Sequence, residues 1–253
     1  ILFLLLSIYF LAGITIYNDY GIGIEEHFQR LNGFYWLNHL LSFYDFFDLK
    51  KVVNLKFENI LLANPSLPII TFFNFYGIVF DTPSAFLEVV LSLKNSKSYF
   101  EVRHFLCFLI FFISSIFFYK ILLKRFNFSL GLFGLFIYIL SPRIFGDSFH
   151  NNKDILFLSL LTIAVSFLFK YFDKLNNKNL ILFCVFSALA TSTRIMGIYL
   201  PILFILFMFV EYLSNKVNFS FFIKLSFKII FIYVLSLYLH YPYMWQLNIF
   251  ELS

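Results

Sequence analysis

The stretch RHFLCFLIFFISSIFFYKILL, residues 103–123, carries no charge between His104 and Lys120. About 20 consecutive apolar residues are what a helix needs to cross the hydrocarbon core of a bilayer. In that medium an unpaired backbone amide finds no water, so a helix is the expected conformation. Similar runs lie on both sides of it: Ile1–Tyr17 before, and Leu130–Ser141, Ile155–Phe172, Leu180–Thr193, Met196–Leu213 and Phe221–Tyr241 after. Seven spans are expected, the third and fifth being short.

Composition agrees with that reading. The 253 residues are 61% hydrophobic and 23% aromatic, and only 13% are charged. A soluble domain carries about 25% charged residues, and the mean hydropathy here is +0.85. The net charge of +5 does not indicate nucleic acid, because no basic stripe is interleaved with surface aromatics. Cys107 and Cys184 fall inside apolar runs and read as small hydrophobes. The expected fold is an all-α polytopic transmembrane helix bundle, a single membrane domain over residues 1–253. The chain opens on Ile1 without an initiator Met and ends just past a span, so it reads as the N-terminal part of a longer protein. Its first run reads as a truncated span rather than a signal peptide.

Lysine and arginine set the orientation. Lys120, Lys124, Arg125, Lys170, Lys174, Lys178, Lys216, Lys224 and Lys228 flank alternate turns, and the opposite turns hold Arg143, Lys153 and Arg194. The first group is expected in the cytoplasm. Of the fourteen acidic residues only Asp173 and Glu211 then fall on that side. The segment 18–102 becomes a long extracytoplasmic loop, too long to lack structure of its own. EEHFQRLNGFYWLNHLLSFYDFF (25–47) spaces Phe28, Leu31, Tyr35 and Leu37 for a helix, and PSAFLEVVLSL (83–93) reads likewise. Aromatic-rich helices of this kind are expected to lie in the interfacial plane.

Five polar constellations sit at span boundaries. NDYGIGIEEHFQR (18–30) brings Asp19, Glu25, Glu26, His27 and Arg30 out of the first span. The ordinary reading is a solvated helix start with acids at its N-terminus. The functional one is a carboxylate that takes a proton from an acceptor hydroxyl. In YFEVRHFLCF (99–108), Arg103 and His104 either snorkel to headgroups or hold a phosphate. SPRIFGDSFHNNKD (141–154) reads as a loop with Arg143, Asp147, His150, Asn152, Lys153 and Asp154, either capping two helices or bordering a site. ATSTRIMGIYLP (190–201) puts Arg194 at a tight turn. HYPYMWQLNIF (240–250) places Tyr and Trp where an interface accepts them.

These segments, in this order, resemble the GT-C superfamily of membrane glycosyltransferases. Within it they are similar to the dolichyl-phosphate-mannose protein mannosyltransferase-like group (glycosyltransferase family 39), which includes the aminoarabinose transferases. IEEHFQRLNG stands where the family has an Asp-Glu pair, and YGIVFDTPSAFLE resembles the end of the same loop. SPRIFGDSFHNNKDI resembles an SPR-FG-H-N-KD pattern, and TSTRIMGIYLP and YPYMW follow in place. The resemblance implies an inverting transfer of a sugar from a polyprenyl-phosphate donor to a hydroxyl of a protein or glycolipid acceptor, on the extracytoplasmic side. The protein would sit in a bacterial inner membrane among lipids, with no nucleic-acid partner.

By position Glu25 would be the base, with Glu26 as its neighbour; Glu stands where the family has Asp, so Glu26 or Asp19 could take the role instead. Arg103, His104, Arg143, Lys153 and Arg194 would hold the donor phosphate, because cations stabilise charge gathering on a leaving group. Arg30, Asp147, His150, Asn152 and Asp154 would serve the acceptor or support the site. No cofactor is demanded; the carboxylates could hold a divalent cation, but no compact ligand motif requires one. A transporter or flippase of lipid-linked sugars is the rival, disfavoured because the charges lie at span ends and not mid-span. A structural membrane subunit is the third possibility.

Overall fold

The computed structural model describes residues 2–43, 47–63 and 77–245. Residues 44–46 and 64–76, together with the QLNIF end of the last constellation, lie outside them. The chain is all-α, with no strand among the described residues.

In order, the helices are α1 (Leu2–Ile16), α2 (Glu26–Leu41), α3 (Phe47–Ala63), α4 (Asp81–Val90), α5 (Ser96–Arg125) and α6 (Phe128–Leu140). Then come α7 (Pro142–His150), α8 (Asp154–Lys174), α9 (Asn177–Thr193), α10 (Tyr199–Leu213) and α11 (Phe219–His240). Leu2–Asp19, Ser96–Arg125, Asp154–Lys174, Ile195–Leu213 and Phe219–His240 are long and apolar enough to cross a membrane. The chain is an integral membrane protein.

Two of the seven expected spans differ in form. α6 has 13 residues, about 20 Å at 1.5 Å per residue, and reaches span length only as a bent pair with α7. α9 has 17 residues, about half of them buried among its neighbours, and falls short of the length of the other spans. A further correction concerns SPRIFGDSFHNNKD, which is a helix and not a loop over residues 142–150. Pro142 opens it, where the ring pre-sets φ and the missing N–H costs nothing, and the Ser141 carbonyl accepts from Phe145 N–H at 2.8 Å.

Two compact units divide the chain. One comprises Ile1–Leu109, Gly146–Asn152 and Tyr241–Ser253; the other comprises Ile110–Phe145 and Lys153–His240. In the first, α2 packs against α3 and α4 around Leu31, Phe34, Leu37, Val53, Ile60, Ala85 and Val89. Along the middle of α2, Gln29, Arg30 and Asn32 are buried together with Leu31 and Phe34.

Gly33 permits this packing. A Cβ there would collide with the backbone carbonyl of Asp81. In the second unit α9 packs on α8 and α11. Hydrogen bonds of Tyr138 with Ser114 and Thr162, both at 3.3 Å, and of Tyr233 with Thr191 at 2.8 Å, tie apolar helices together as small polar side chains do in membranes. Short turns are capped by asparagine: Asn127, Asn176 and Asn218 each accept a backbone N–H at the start of the next helix.

Candidate active site

The first unit gathers four of the five nominated carboxylates and two of the five cations nominated for the donor phosphate. After α1, a 3-10 turn at Tyr17–Asp19 leads into the glycine-containing stretch before α2. There Gly23 and Glu26 bond reciprocally. The Gly23 N–H donates to Glu26 Oε2 at 2.6 Å, and the Glu26 N–H donates to the Gly23 carbonyl at 3.1 Å. This is the logic of a capping box, in which an acid three residues on satisfies an orphan amide.

From the other side His104, on α5, brings Nε2 to 3.0 and 3.1 Å from the two Glu26 oxygens. Both residues are 2% exposed. Glu26 is thus held by the loop before it and by a helix 78 residues away. Glu25, the residue before it, is exposed, as is Asp19. The two neighbouring glutamates have opposite environments.

One position before His104, Arg103 is 3% exposed and pairs with Asp81 at the start of α4. Asp81 also accepts from Asn32 Nδ2 at 3.2 Å. The consequence is that α2, α4 and α5 are joined by two adjacent buried pairs, Glu26–His104 and Asp81–Arg103. A buried pair loses heavily if one partner is removed, about 3–5 kcal/mol, because the other charge is left uncompensated.

The segment 146–152 joins the same unit. Phe149 stacks on Phe108 at 5.2 Å and on Tyr20 at 4.6 Å, and His150 stacks on Tyr20 at 5.8 Å. Burial raises the Tyr20 phenol above its ordinary value, which keeps it protonated at neutral pH. His150 Nε2 lies 3.9 Å from Asp147. Asn152 is buried, and neither its Oδ1 nor its Nδ2 finds a partner among the described residues; the same holds for His104 Nδ1 and Arg103 Nε. Buried polar atoms are normally hydrogen-bonded, so this unit has donors and acceptors available to a polar ligand.

The remaining nominated residues, Arg143, Lys153, Asp154 and Arg194, belong to the second unit. Arg194 pairs there with Asp154, and both are about half exposed, so the pair adds little stability. Arg143 is exposed and Lys153 half-buried. Among the described residues no three His, Cys, Asp or Glu groups converge as metal ligands.

Reading the residues alone missed several partners. Asp81 and Asn32 were given no role, and Glu88, Lys56 and Tyr99 were not singled out. A signal existed for one of them. Glu88 shares the helical face of Asp81, Ala85 and Val89, so a carboxylate lay in an otherwise core-facing row.

A family model described as dolichyl-phosphate-mannose-protein mannosyltransferase matches residues 82–240. The matched stretch takes in Arg103, His104, Arg143, Lys153 and Arg194 and begins after Glu25 and Glu26. No curated protein and no solved structure matches the chain.

Proposed function

The chain belongs to the dolichyl-phosphate-mannose-protein mannosyltransferase family and is a membrane glycosyltransferase of the GT-C type; from that premise we propose that it moves a sugar from a polyprenyl-phosphate donor to an acceptor hydroxyl on the extracytoplasmic face of a bacterial inner membrane, with Glu25 as the base. The acceptor is a protein or a glycolipid. One observation carries the assignment of the base. Glu26 is committed on both oxygens to His104 and on one to Gly23, while its neighbour Glu25 is exposed at the N-terminus of α2.

In the reaction Glu25 takes the proton of the acceptor hydroxyl as its oxygen forms a bond to the anomeric carbon. The bond from that carbon to the phosphate oxygen breaks, the electron pair leaves with the polyprenyl phosphate, and configuration inverts. Glu26 acts through position: by anchoring the residues before α2 it holds Glu25 in one place, which is worth more to a base than an intrinsically stronger but mobile group. Arg103 and His104, facing Asp81 and Glu26, serve the same positioning. Arg143, Lys153 and Arg194 are proposed from the sequence alone as the cations that stabilise the leaving phosphate. Asn152, Asp147 and His150 are proposed as supporting groups.

The test is release of polyprenyl phosphate by the full-length protein in nanodiscs, offered a panel of polyprenyl-phosphate sugars. Wild type should release it with one donor, and Glu25→Gln should slow release about 100-fold or more, the usual contribution of a general base. Asp19→Asn should change the rate little. Unchanged release in Glu25→Gln removes it as base. Donor binding without release from any donor supports the transporter.

A further inference from the structure

A cavity of about 480 Å3 opens in the first unit among α2, α3 and the start of α5, and its wall is basic. Arg30, Lys56 and Lys94 line it with His27, Asn59 and Tyr99, and no carboxylate lines it among the described residues. Glu26, His104 and Asp81 are not in this wall.

Glu88 stands behind the wall and orders it. Its Oε1 accepts from Arg30 Nη2 at 2.7 Å and from Lys56 Nζ at 2.8 Å, and its Oε2 accepts from Arg30 Nε at 2.8 Å. Lys56 also donates to the Leu93 carbonyl at 2.7 Å. The Arg30 guanidinium lies 3.6 Å from the centroid of the Tyr99 ring, and Arg30 is 8% exposed. One carboxylate therefore fixes two cations side by side without neutralising both. Lys94 adds a third, and it makes no ion pair among the described residues.

A tether between α2, α3 and α4 would need Arg30, Lys56 and Glu88 alone. It would not need a cavity in front of them, nor Lys94 at its edge. Two of the five guanidinium N–H donors and two of the three ammonium donors point to Glu88 and Leu93, so each cation keeps donors for a ligand.

We infer that this cavity binds a phosphate-bearing group, held by Arg30, Lys56 and Lys94. A tetrahedral oxyanion presents acceptors in several directions, which matches an arginine fork and two ammonium groups set by separate elements. The group can come from a soluble phosphate compound or from a phospholipid headgroup. The inference does not rest on the sugar-transfer reading, since its test reads binding.

The experiment is isothermal titration of the full-length protein in dodecyl maltoside, a surfactant without phosphate. The probes are inorganic phosphate, dihexanoyl phosphatidylglycerol and, as an anion control, acetate. At least one phosphate probe should bind about tenfold or more tightly than acetate. Binding of inorganic phosphate marks a soluble compound as the source; binding of the lipid alone marks a headgroup. Lys94→Gln should weaken the bound probe about tenfold, the effect of one charge-assisted hydrogen bond. Lys97→Gln, which removes a nearby exposed charge outside the wall, should change it less than about twofold. Both lysines are exposed, so neither change disturbs packing. No binding of either phosphate probe, acetate binding as tightly, or equal effects of the two substitutions would overturn the inference.

Discussion

The two adjacent glutamates offer the most discriminating test, because Glu26 is buried and paired while Glu25, proposed as the base, is exposed. Glu26→Gln keeps the shape of the side chain and removes its charge. In wild type Glu26 accepts from Gly23 N–H at 2.6 Å and faces His104 Nε2 at 3.0 and 3.1 Å, with Glu26 and His104 each 2% exposed. A hydrogen bond to a charged group contributes about 1.5–3 kcal/mol, roughly 1 kcal/mol more than a neutral one. The glutamine oxygen can still accept from one of the two donors, so one contact weakens and the other is lost. The expected cost is about 2–3 kcal/mol, below the roughly 3–5 kcal/mol of stranding a buried charge. Glu25→Gln, at an exposed position, should cost less than about 0.5 kcal/mol. Unfolding in mixed dodecyl maltoside and dodecyl sulfate micelles, followed by tryptophan fluorescence, reads this directly. Trp36 is buried in α2, and Trp245 also belongs to the first unit. Equal losses in the two variants, or a larger loss in Glu25→Gln, would refute the division of roles.

Other expectations follow from the same unit. Arg103→Met should destabilise by about 3 kcal/mol, since the buried Asp81 carboxylate loses its cationic partner, and adding Asp81→Asn should recover most of that loss; a double variant no more stable than the single one argues against the pair. Gly33→Ala should cost about 1–3 kcal/mol through overpacking against the Asp81 carbonyl, whereas Gly146→Ala, with open space around its Cβ in α7, should be neutral or stabilising by up to about 1 kcal/mol. Both are measured in the same micelle unfolding assay. Glu88→Gln should loosen Arg30 and Lys56 together, and the cost should exceed the sum of separate surface pairs; a loss under about 1 kcal/mol would show that the three do not act as a unit.

The membrane bundle was legible in the residues because it depends on local properties. A run such as 103–123 must satisfy its own backbone in hydrocarbon whatever surrounds it, and composition alone excludes a soluble surface. The same reasoning overstated α6 and α9, since a short apolar run does not reveal whether it crosses the bilayer alone, bends into a partner such as α7, or is buried by neighbours. It also marked Glu25, Glu26, Arg103 and His104 as worth attention, from charge where charge is costly.

What those residues do to one another was decided only by the tertiary structure. Glu26 meets His104 across 78 residues and Arg30 meets Glu88 across 58, and no spacing rule along one helix reaches that far. Adjacent positions on a helix point about 100° apart, so Glu25 and Glu26 part company as soon as α2 packs, one toward α5 and one toward solvent. The sequence by itself determined that this chain is a helical membrane protein with carboxylates and cations gathered at span ends. That Glu26 is buried and paired while Glu25 is exposed was decided by the packing of α2, α4 and α5, because burial and pairing are properties of contacts between distant segments.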